Sequence, residues 1–484
     1  MFTLILLSLF LLVMICIGVW GMKKTSTLGD FFLGGRSIGP WISAVAYGTS
    51  YFSAVLFIGF AGKLGWGFGL NVLWIAAGNA FFGSLLAWLV LGRRTRLMTQ
   101  NLDVMTMPEF FHERYKTRYM KFVTAMIIFI FLLPYSASVF KGLGHLFEIN
   151  FHISYDLALL VMIVITGIYL ILGGYFAITL TDFIQGIIMV FGASAMVWIL
   201  VNKAGGISQV LPAISESYKL HIASGSAPNW IMLASLVFMT SFGTWGLPQM
   251  VQKFYAIKDA SLIKKAALAT TVFAVIISFA AYFTGALSHV FFDSVPLVEG
   301  KLAFDRLIPQ LLTTYLPEVL MGVILLLILS ASMSTLSSLI LVSASAIAID
   351  MYKGHVNPKI SKENSVMMMR FLSGVFIAIS YFIAKEEFAL IVTLMSLSWG
   401  AVAGAFMAPY LYGLFWKRTT RIGAEAGMTT GLVLAIALFF ILGKQNSPIA
   451  ASIAMIVPFA VVPIVSLFTQ PPDDKIIAKA FKEI

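Results

Sequence analysis

The sequence predicts an all-α polytopic membrane protein with about 13 transmembrane helices. Of its 484 residues, 60% are hydrophobic and 11% are charged, and the mean hydropathy is +0.95. A soluble globular domain is far less apolar than this. Long apolar stretches recur to the end of the chain, each near the roughly 20 residues that cross a bilayer as a helix. They lack the alternation of a transmembrane β-barrel, so helices must satisfy the backbone polar groups in lipid.

The apolar stretches define the predicted spans in order. We expect them at 3–22, 38–62, 66–92, 121–147, 155–174, 177–202, 228–252, 266–290, 319–348, 367–384, 388–415, 423–443 and 448–468. The first stretch has no charged segment before it and no evident cleavage site, which indicates a retained anchor. Between spans, Met107–Tyr115 predicts a short amphipathic helix with proline near its start. The segments 203–227 and 291–318 are long enough for short helices, and Gly173 with Gly174 predicts a tight turn.

The distribution of charge predicts the orientation in the membrane. The net charge is +11, and most of the 32 basic residues, Lys253 among them, fall on one side of the membrane or at its margins. Basic residues are enriched on the cytoplasmic side, so we expect the N-terminus outside and, with an odd number of spans, the C-terminus in the cytoplasm. The positive charge is then no sign of nucleic-acid binding. A single cysteine and histidines outside the mid-membrane region disfavour a disulfide framework or a haem, so we expect no organic cofactor.

Two predicted spans are interrupted in matching places. Segment 47–53 of the second span contains glycine and hydroxyl residues, and segment 242–249 of the seventh contains two glycines and Pro248. Such residues loosen a helix and free backbone groups, which a polar cavity tolerates but lipid does not. Either break alone is most simply a kink. The two breaks, however, open two successive sets of five spans, and paired interruptions are typical of the binding site of a secondary transporter.

The ninth span carries the densest polar stretch, with six hydroxyl residues in the nine positions 330–338. On a helix, Ala331, Ser334, Thr335 and Ser338 share one face. Their oxygens suit a hard cation such as Na⁺, although small hydroxyl faces also serve helix packing. The paired breaks favour the ion.

The charged residues Asp182 and Lys141 fall within predicted spans. Asp182 lies near the start of the sixth span, where it is either a cation relay or a hydrated carboxylate at a helix N-terminus. Lys141 lies about 30 Å along its helix from Lys121, so we expect it to snorkel near the outer surface.

Six segments, in order along the chain, resemble those of a known family. They are 32–37 (FLGGRS), 107–110 (MPEF), 173–186 (GGYFAITLTDFIQG), 246–248 (GLP), 333–338 (MSTLSS) and 409–418 (PYLYGLFWKR) with Gly423 and Ala424 after it. With them the sequence resembles the sodium:solute symporters, which include carriers of proline, pantothenate, glucose and sialic acid. The resemblance implies a LeuT-like 5+5 inverted-repeat core, with one extra N-terminal and two extra C-terminal helices. The implied regions are 1–37 (extra helix and loop), 38–202 and 228–415 (the repeats), 423–468 (extra helices) and 469–484 (a cytoplasmic tail).

The same resemblance implies the binding residues. For the principal Na⁺ site they are the carbonyls of Thr49, Phe52 and Ala331 and the hydroxyls of Ser334 and Thr335. Some members bind a second Na⁺, and the matching residues here are Asp182, Ser334, Ser337 and Ser338, which allows two Na⁺ per solute. The implied substrate-binding residues are Ser50, Tyr51, Ser53, Tyr135, Thr240, Thr244, Trp245 and Gln249.

The resemblance is looser at the substrate site. Proline carriers have aromatic residues where Thr240 and Thr244 align, and sialic acid carriers have a basic residue where Tyr135 aligns. Sugar carriers have an amide and acid set on the second and third spans that we do not find. Segments 51–54 and 246–248 look nearer to the pantothenate and monocarboxylate carriers. We therefore expect a small carboxylate or an amino-acid-like solute.

The sequence thus predicts a Na⁺-coupled symporter of the plasma membrane. Its expected partners are a small-molecule substrate, Na⁺ and the lipid bilayer, with no nucleic acid and no obligate protein partner. No nucleotide-binding phosphate loop is found, so an ion gradient must supply the energy. The alternatives are H⁺ coupling through Asp182, a sugar-type substrate, and a channel or membrane sensor. An enzyme is disfavoured, since no His, Asp and Glu residues cluster at mid-depth.

Overall fold

The computed structural model describes residues 2–24, 28–172, 174–223, 229–298 and 300–482, and these residues are predominantly helical. The α-helices are α1 (Phe2–Lys24), α2 (Leu28–Leu33), α3 (Pro40–Tyr51), α4 (Ala61–Phe68), α5 (Leu73–Ala80), α6 (Arg93–Leu102), α7 (Met107–Tyr115), α8 (Arg118–Phe151), α9 (Tyr155–Leu172), α10 (Tyr175–Lys203), α11 (Ile207–Ala223), α12 (Trp230–Phe242), α13 (Pro248–Ala256), α14 (Ile263–Phe291), α15 (Phe304–Tyr315), α16 (Glu318–Ser345), α17 (Lys362–Lys385), α18 (Ile391–Phe415), α19 (Arg421–Leu442), α20 (Ser447–Ile456), α21 (Pro458–Leu467) and α22 (Asp474–Ala480). The wider π-helical stretches are Val55–Phe60, Phe81–Gly92 and Ala346–Val356, and the 3₁₀ turns are Gly34–Arg36, Gly69–Val72, Gly243–Trp245, Ala260–Leu262 and Lys444–Asn446. Gly173 of the predicted tight turn lies outside the described residues.

The number of spans depends on how broken helices are counted. In the described part of the chain, ten helical segments are long and apolar enough to cross a membrane, or eleven if the bent pair α12 and α13 forms one span. One of the ten, Val55–Leu102, is 48 residues long and is interrupted at Gly69, whose φ of +53° does not fit a continuous helix. A further apolar helix, Tyr155–Val164, is shorter. The architecture of a polytopic α-helical protein is confirmed, and the exact count of thirteen stays a prediction.

The segments between the predicted spans hold more structure than expected. The predicted helix Met107–Tyr115 is present, with Thr106 Oγ1 accepting from Glu109 N at 3.1 Å as its N-terminal cap. Its Phe110 and Phe111 side chains are fully buried in protein. The two long connections carry α11 and α15, as predicted. The second also contains a small antiparallel hairpin, β1 (Leu297–Val298) and β2 (Lys301–Leu302), which the all-α prediction did not include.

Both predicted helix breaks are present. Helix α3 ends at Tyr51, and Phe52 adopts an extended conformation (φ −108°, ψ 108°) before helical structure resumes at Val55. The second break separates α12 from α13, whose axes differ by 42°. Pro248 begins α13, where its missing N–H costs no helical hydrogen bond. In each case the residues that predicted the interruption lie at it.

Helix α16 lies at the centre of the protein. It packs against α1, α3, α8 and α10, and nearly all residues from Met321 to Ser345 are buried. The break in α3 is therefore held against the hydroxyl-rich middle of α16. This packing positions the candidate site.

Lys141 lies in a buried charged cluster and does not snorkel as expected. Its Nζ lies 3.0 Å from Asp305 Oδ2 and donates to Ala389 O at 3.0 Å, and its side chain is 5% exposed. The reason is tertiary, since α15 and the connection before α18 cover this end of α8. Burial disfavours the carboxylate of Glu387 in that connection, but the hydrogen bond from His145 and the charges of His145 and Lys141 outweigh it, so the pKa of Glu387 is lowered.

Replacing Lys141 tests whether this cluster stabilises the fold. Lys141→Met leaves the Asp305 carboxylate buried without its cation, which typically costs about 3–5 kcal/mol. We expect a clearly lower unfolding midpoint in detergent. The matched control is Lys385→Met, because Lys385 pairs with Asp156 at 3.4 Å where both side chains are exposed and such pairs contribute at most about 1 kcal/mol. Equal losses in the two variants would contradict the assignment.

Candidate functional site

The break in α3 leaves backbone carbonyls without helical partners, and α16 supplies hydroxyl donors to them. Thr49 O accepts from Ser334 Oγ at 3.0 Å and from Thr335 Oγ1 at 3.2 Å. Ser50 O accepts from Thr335 Oγ1 at 3.3 Å. All four residues are fully buried. Such carbonyls must find a partner inside the protein, because lipid offers none.

The same two hydroxyls also contact their own helix. Ser334 Oγ and Thr335 Oγ1 each lie 3.1 Å from Ala331 O. We name the group formed by Thr49, Ser50, Ala331, Ser334 and Thr335 the α3–α16 seam. It contains four of the five residues predicted to hold the principal Na⁺.

Phe52, the fifth predicted Na⁺ ligand, lies at the break but is not joined to the seam by a hydrogen bond of its carbonyl in the described part of the chain. Its N–H donates to Gly48 O at 3.1 Å, and its ring stacks on that of Tyr51 with centroids 4.3 Å apart. Because the backbone of Phe52 is extended and not helical, the Phe52 carbonyl does not point along α3 as the helical carbonyls do.

The seam is chemically suited to a small alkali cation. It presents neutral oxygens only, from carbonyls and hydroxyls, and hard cations prefer oxygen ligands. The hydroxyl protons now bond Thr49 O and Ala331 O, and these are the oxygens that a cation would use. The residues present therefore fit the predicted Na⁺ site.

The residues predicted for a second Na⁺ do not converge in the same way. Ser334 belongs to the seam, and Ser337 Oγ donates to the backbone oxygen of Ser334 at 2.9 Å. Asp182 and Ser338 both contact the side chain of Lys253. Lys253 Nζ lies 3.4 Å from Asp182 Oδ2 and 3.2 Å from Ser338 Oγ.

Lys253 is the functional candidate that sequence analysis misjudged. It was counted with the basic residues of the cytoplasmic margin, but its side chain is 0% exposed and its ammonium lies 5.2 Å from the centre of the Tyr175 ring. Two unit charges 4 Å apart repel by about 4 kcal/mol at an effective dielectric constant of 20. A Na⁺ bound between Asp182 and Ser338 would face this repulsion, so the residues present do not fit a second Na⁺. The sequence signal was the position of Lys253 on the same short helix as Pro248, next to a predicted break.

A cavity between the two broken helices contains half of the predicted substrate residues. Tyr51, Ser53, Tyr135 and Thr240 line it, and Tyr51 OH donates to Thr240 O at 2.5 Å. This bond joins the break in α3 to the end of α12.

The other four predicted substrate residues are buried but do not line the cavity. Ser50 Oγ pairs with Ser338 Oγ at 2.9 Å. Thr244 Oγ1 donates to a backbone oxygen of its own helix at 3.0 Å, and Trp245 Nε1 donates to Phe82 O at 3.0 Å. Gln249 is 1% exposed, and its Oε1 makes no hydrogen bond in the described part of the chain. Thr244 and Trp245 thus contribute to packing in this conformation.

The cavity includes residues that the sequence did not single out. They are Asn79, Tyr282 and Met395, together with Phe52, Val55, Leu56 and Phe60. Asn79 Oδ1 accepts from Thr240 Oγ1 at 2.8 Å and from Ser241 Oγ at 3.3 Å. From the third predicted span, Asn79 contributes one amide to the cavity, without the amide and acid set of the sugar carriers. Its position in the middle of an apolar stretch was the available signal.

The cavity is small. Its free space is about 20 Å³, which is room for roughly one water molecule. The polar residues around it contact one another across this space. A solute of several heavy atoms therefore enters only when these side chains, or the helices that carry them, separate.

Comparisons with known proteins agree over nearly the whole chain. The sequence model of the sodium:solute symporter family matches residues 31–431. The osmoregulated proline transporter OpuE of Bacillus subtilis is 31% identical over 446 residues, which cover 88% of this chain and 86% of that protein. The sodium/proline symporter of Haemophilus influenzae is 30% identical, with 90% of this chain and 88% of that protein covered.

Solved structures agree on the fold. A Na⁺-coupled sialic acid symporter, solved substrate-bound and outward-open, superposes with a TM-score of 0.77 at 17% identity and covers 98% of each chain. A transporter of the nucleobase-cation-symport-1 family superposes with a TM-score of 0.53 at 12% identity, with 93% of this chain and 97% of that one covered. Both have the LeuT-like fold, and the protein is a transporter and not an enzyme. The family match and these relatives establish that the chain belongs to the sodium:solute symporter family.

Proposed function

We propose that this symporter couples the inward movement of Na⁺ to the uptake of a small amino-acid-like solute by alternating access, with Na⁺ carried at the α3–α16 seam. The observation that carries the proposal is the convergence of the Ser334 and Thr335 hydroxyls on the Thr49 carbonyl at the break of α3. Oxygen atoms held this way across two helices bind a cation only while the helices stay together. Na⁺ thus stabilises the state in which the seam is closed.

Ion and solute share one structural element. Thr49 and Ser50 lie in the last turn of α3, while Tyr51 and Ser53 of the same break line the cavity. A conformational change at the break of α3 therefore alters both the α3–α16 seam and the cavity. Because coupling between two binding sites is reciprocal, Na⁺ raises the affinity for the solute and the solute raises the affinity for Na⁺.

The cavity supports a solute without net charge. None of its lining residues is charged, and its polar groups are hydroxyls and one amide. A zwitterionic amino acid fits this lining better than a sugar acid or a polyanion, because a net charge would be desolvated without a partner. The relatives named as proline transporters support an amino acid. Thr240, which lines the cavity, is smaller than the aromatic residue expected there in proline carriers, so the proposal covers other small neutral amino acids as well as proline.

The arrangement in the membrane follows from the same proposal. The N-terminus lies outside and the C-terminus in the cytoplasm of a plasma membrane, as the basic residues predict. Regions 38–202 and 228–415 act as the two inverted repeats, each beginning with a broken helix.

Alanine at the seam tests the Na⁺ site. Ser334→Ala and Thr335→Ala each remove one cation oxygen, and a contact to a charged group contributes about 1.5–3 kcal/mol. We expect the Na⁺ concentration for half-maximal uptake to rise by about 10- to 100-fold. The measurement is solute uptake into proteoliposomes over a range of Na⁺ concentrations.

Ser332→Ala is the matched control for the seam. Ser332 is buried on the same helix, but its Oγ donates to Ile328 O at 2.7 Å and takes no part in the seam. We expect its Na⁺ dependence to stay unchanged. If the Na⁺ dependence is unaltered in both Ser334→Ala and Thr335→Ala, the α3–α16 seam is not the Na⁺ site.

A panel of labelled solutes in proteoliposomes tests the coupling ion and the substrate class together. We expect uptake of proline or another small neutral amino acid under an inward Na⁺ gradient, and none when K⁺ replaces Na⁺. Uptake driven by a pH gradient without Na⁺ would contradict Na⁺ coupling and indicate H⁺ coupling. Uptake of sugars alone would contradict an amino-acid-like substrate.

Asn79→Ala tests the cavity. It removes the acceptor of Thr240 and Ser241, so we expect the solute concentration for half-maximal uptake to rise by about tenfold, with a smaller change in Na⁺ dependence. Asn71→Ala is the control, since Asn71 precedes α5 and does not line the cavity. Identical solute kinetics in Asn79→Ala and the unaltered protein would show that the amide plays no part.

A further inference from the structure

We propose that the Lys253 ammonium is a tethered cation that occupies the position of a second Na⁺, so that each transport cycle moves about one Na⁺ per solute. The inference rests on the proposed function, because it concerns the number of ions that accompany the solute. It departs from the two Na⁺ that the resemblance allows, and it is carried by the contacts of one side chain.

Three helices meet at this ammonium, and a fourth contacts it through Ser338. Lys253 comes from α13, Asp182 from α10 and Ser338 from α16, with Nζ 3.4 Å from Asp182 Oδ2 and 3.2 Å from Ser338 Oγ. Ser338 Oγ lies 2.9 Å from Ser50 Oγ of α3. The positive charge therefore lies among the oxygens that a second Na⁺ would need.

Because Lys253 and Asp182 are buried, their charges must balance. The side chains of Lys253 and Asp182 are both 0% exposed, and a buried charge must be paired. One carboxylate is matched by one ammonium, so a Na⁺ added here would be an uncompensated second charge. The Tyr175 ring, 5.2 Å from Nζ, closes a further side of the ammonium.

The remaining predicted ligands offer the ion no alternative position. Ser334 is engaged in the seam, and Ser337 Oγ donates to a backbone oxygen at 2.9 Å. Asp182 Oδ1 makes no hydrogen bond in the described part of the chain, but it belongs to the carboxylate that Lys253 already neutralises.

The tethered charge contacts the principal ion site through Ser50. The Ser50 hydroxyl pairs with Ser338, and its carbonyl accepts from Thr335 of the seam at 3.3 Å. Lys253 thus supplies a positive charge that stabilises the break of α3, as a bound ion would. Unlike a bound ion, it cannot leave with the solute. For a zwitterionic solute, one net charge then crosses the membrane per cycle.

The wild-type protein provides the first test. We expect purified protein to bind about one Na⁺ in equilibrium titrations, and proteoliposomes to take up ²²Na⁺ and solute in a ratio of about one. Binding of two Na⁺, or a flux ratio near two, would overturn the inference and leave the proposed function intact. Binding of no Na⁺ would overturn both.

Variants at Lys253 provide the second test. Lys253→Met removes the charge and keeps the length of the side chain, so we expect a second Na⁺ to bind, the flux ratio to rise about twofold, and the Na⁺ dependence to become sigmoidal. Folded Lys253→Met protein that still binds one Na⁺ would overturn the exclusion by the ammonium.

Two controls separate charge from folding. Lys253→Arg keeps the cation, and we expect it to keep a ratio of about one. The double variant Asp182→Asn with Lys253→Met has no buried charge and therefore no acid to attract an ion. We expect it to fold and bind one Na⁺. A second Na⁺ in this double variant would overturn the inference, because the site would then not depend on the carboxylate.

Discussion

The structure depends on a carbonyl that the membrane cannot solvate. A helix interrupted in the interior of a membrane protein exposes backbone oxygens, and lipid offers them no donor. Here the oxygens of Thr49 and Ser50 are met by hydroxyls of Ser334 and Thr335 on another helix. These hydrogen bonds hold α3 to α16, and in the proposed Na⁺ site a cation competes with the hydroxyl protons for the same oxygens. The proposed ion binding is thereby tied to the relative position of two helices.

Two buried lysines, at separate places in the protein, likewise need a partner inside it. Lys253 is matched by Asp182 and Lys141 by Asp305, and both pairs are almost fully buried. A charge inside a membrane protein persists only beside a partner. Each pair joins helices that are remote in sequence, so each constrains how these helices move relative to one another. Lys253 lies close to the α3–α16 seam, whereas Lys141 lies under α15 and the connection before α18.

Membership of the family explains the fold, and we propose that a few side chains of the cavity select the solute. The seam is formed largely by backbone oxygens and small hydroxyls, which tolerate much sequence change around them. The cavity instead depends on the identity of Tyr51, Asn79, Tyr135 and Thr240. This division is consistent with relatives at about 30% identity, since a fold survives substitutions that a solute site does not.

The sequence alone determined the membrane helices, the two breaks and the hydroxyl face of α16, because apolar length, glycine, proline and helical period are local signals. It also placed Thr49, Ser334 and Thr335 together through a family resemblance. Only the tertiary structure decided the environment of Lys253, Lys141 and Asn79. Their roles depend on helices far away in the chain, and the neighbouring residues alone do not decide whether a lysine is solvated or buried beside a carboxylate.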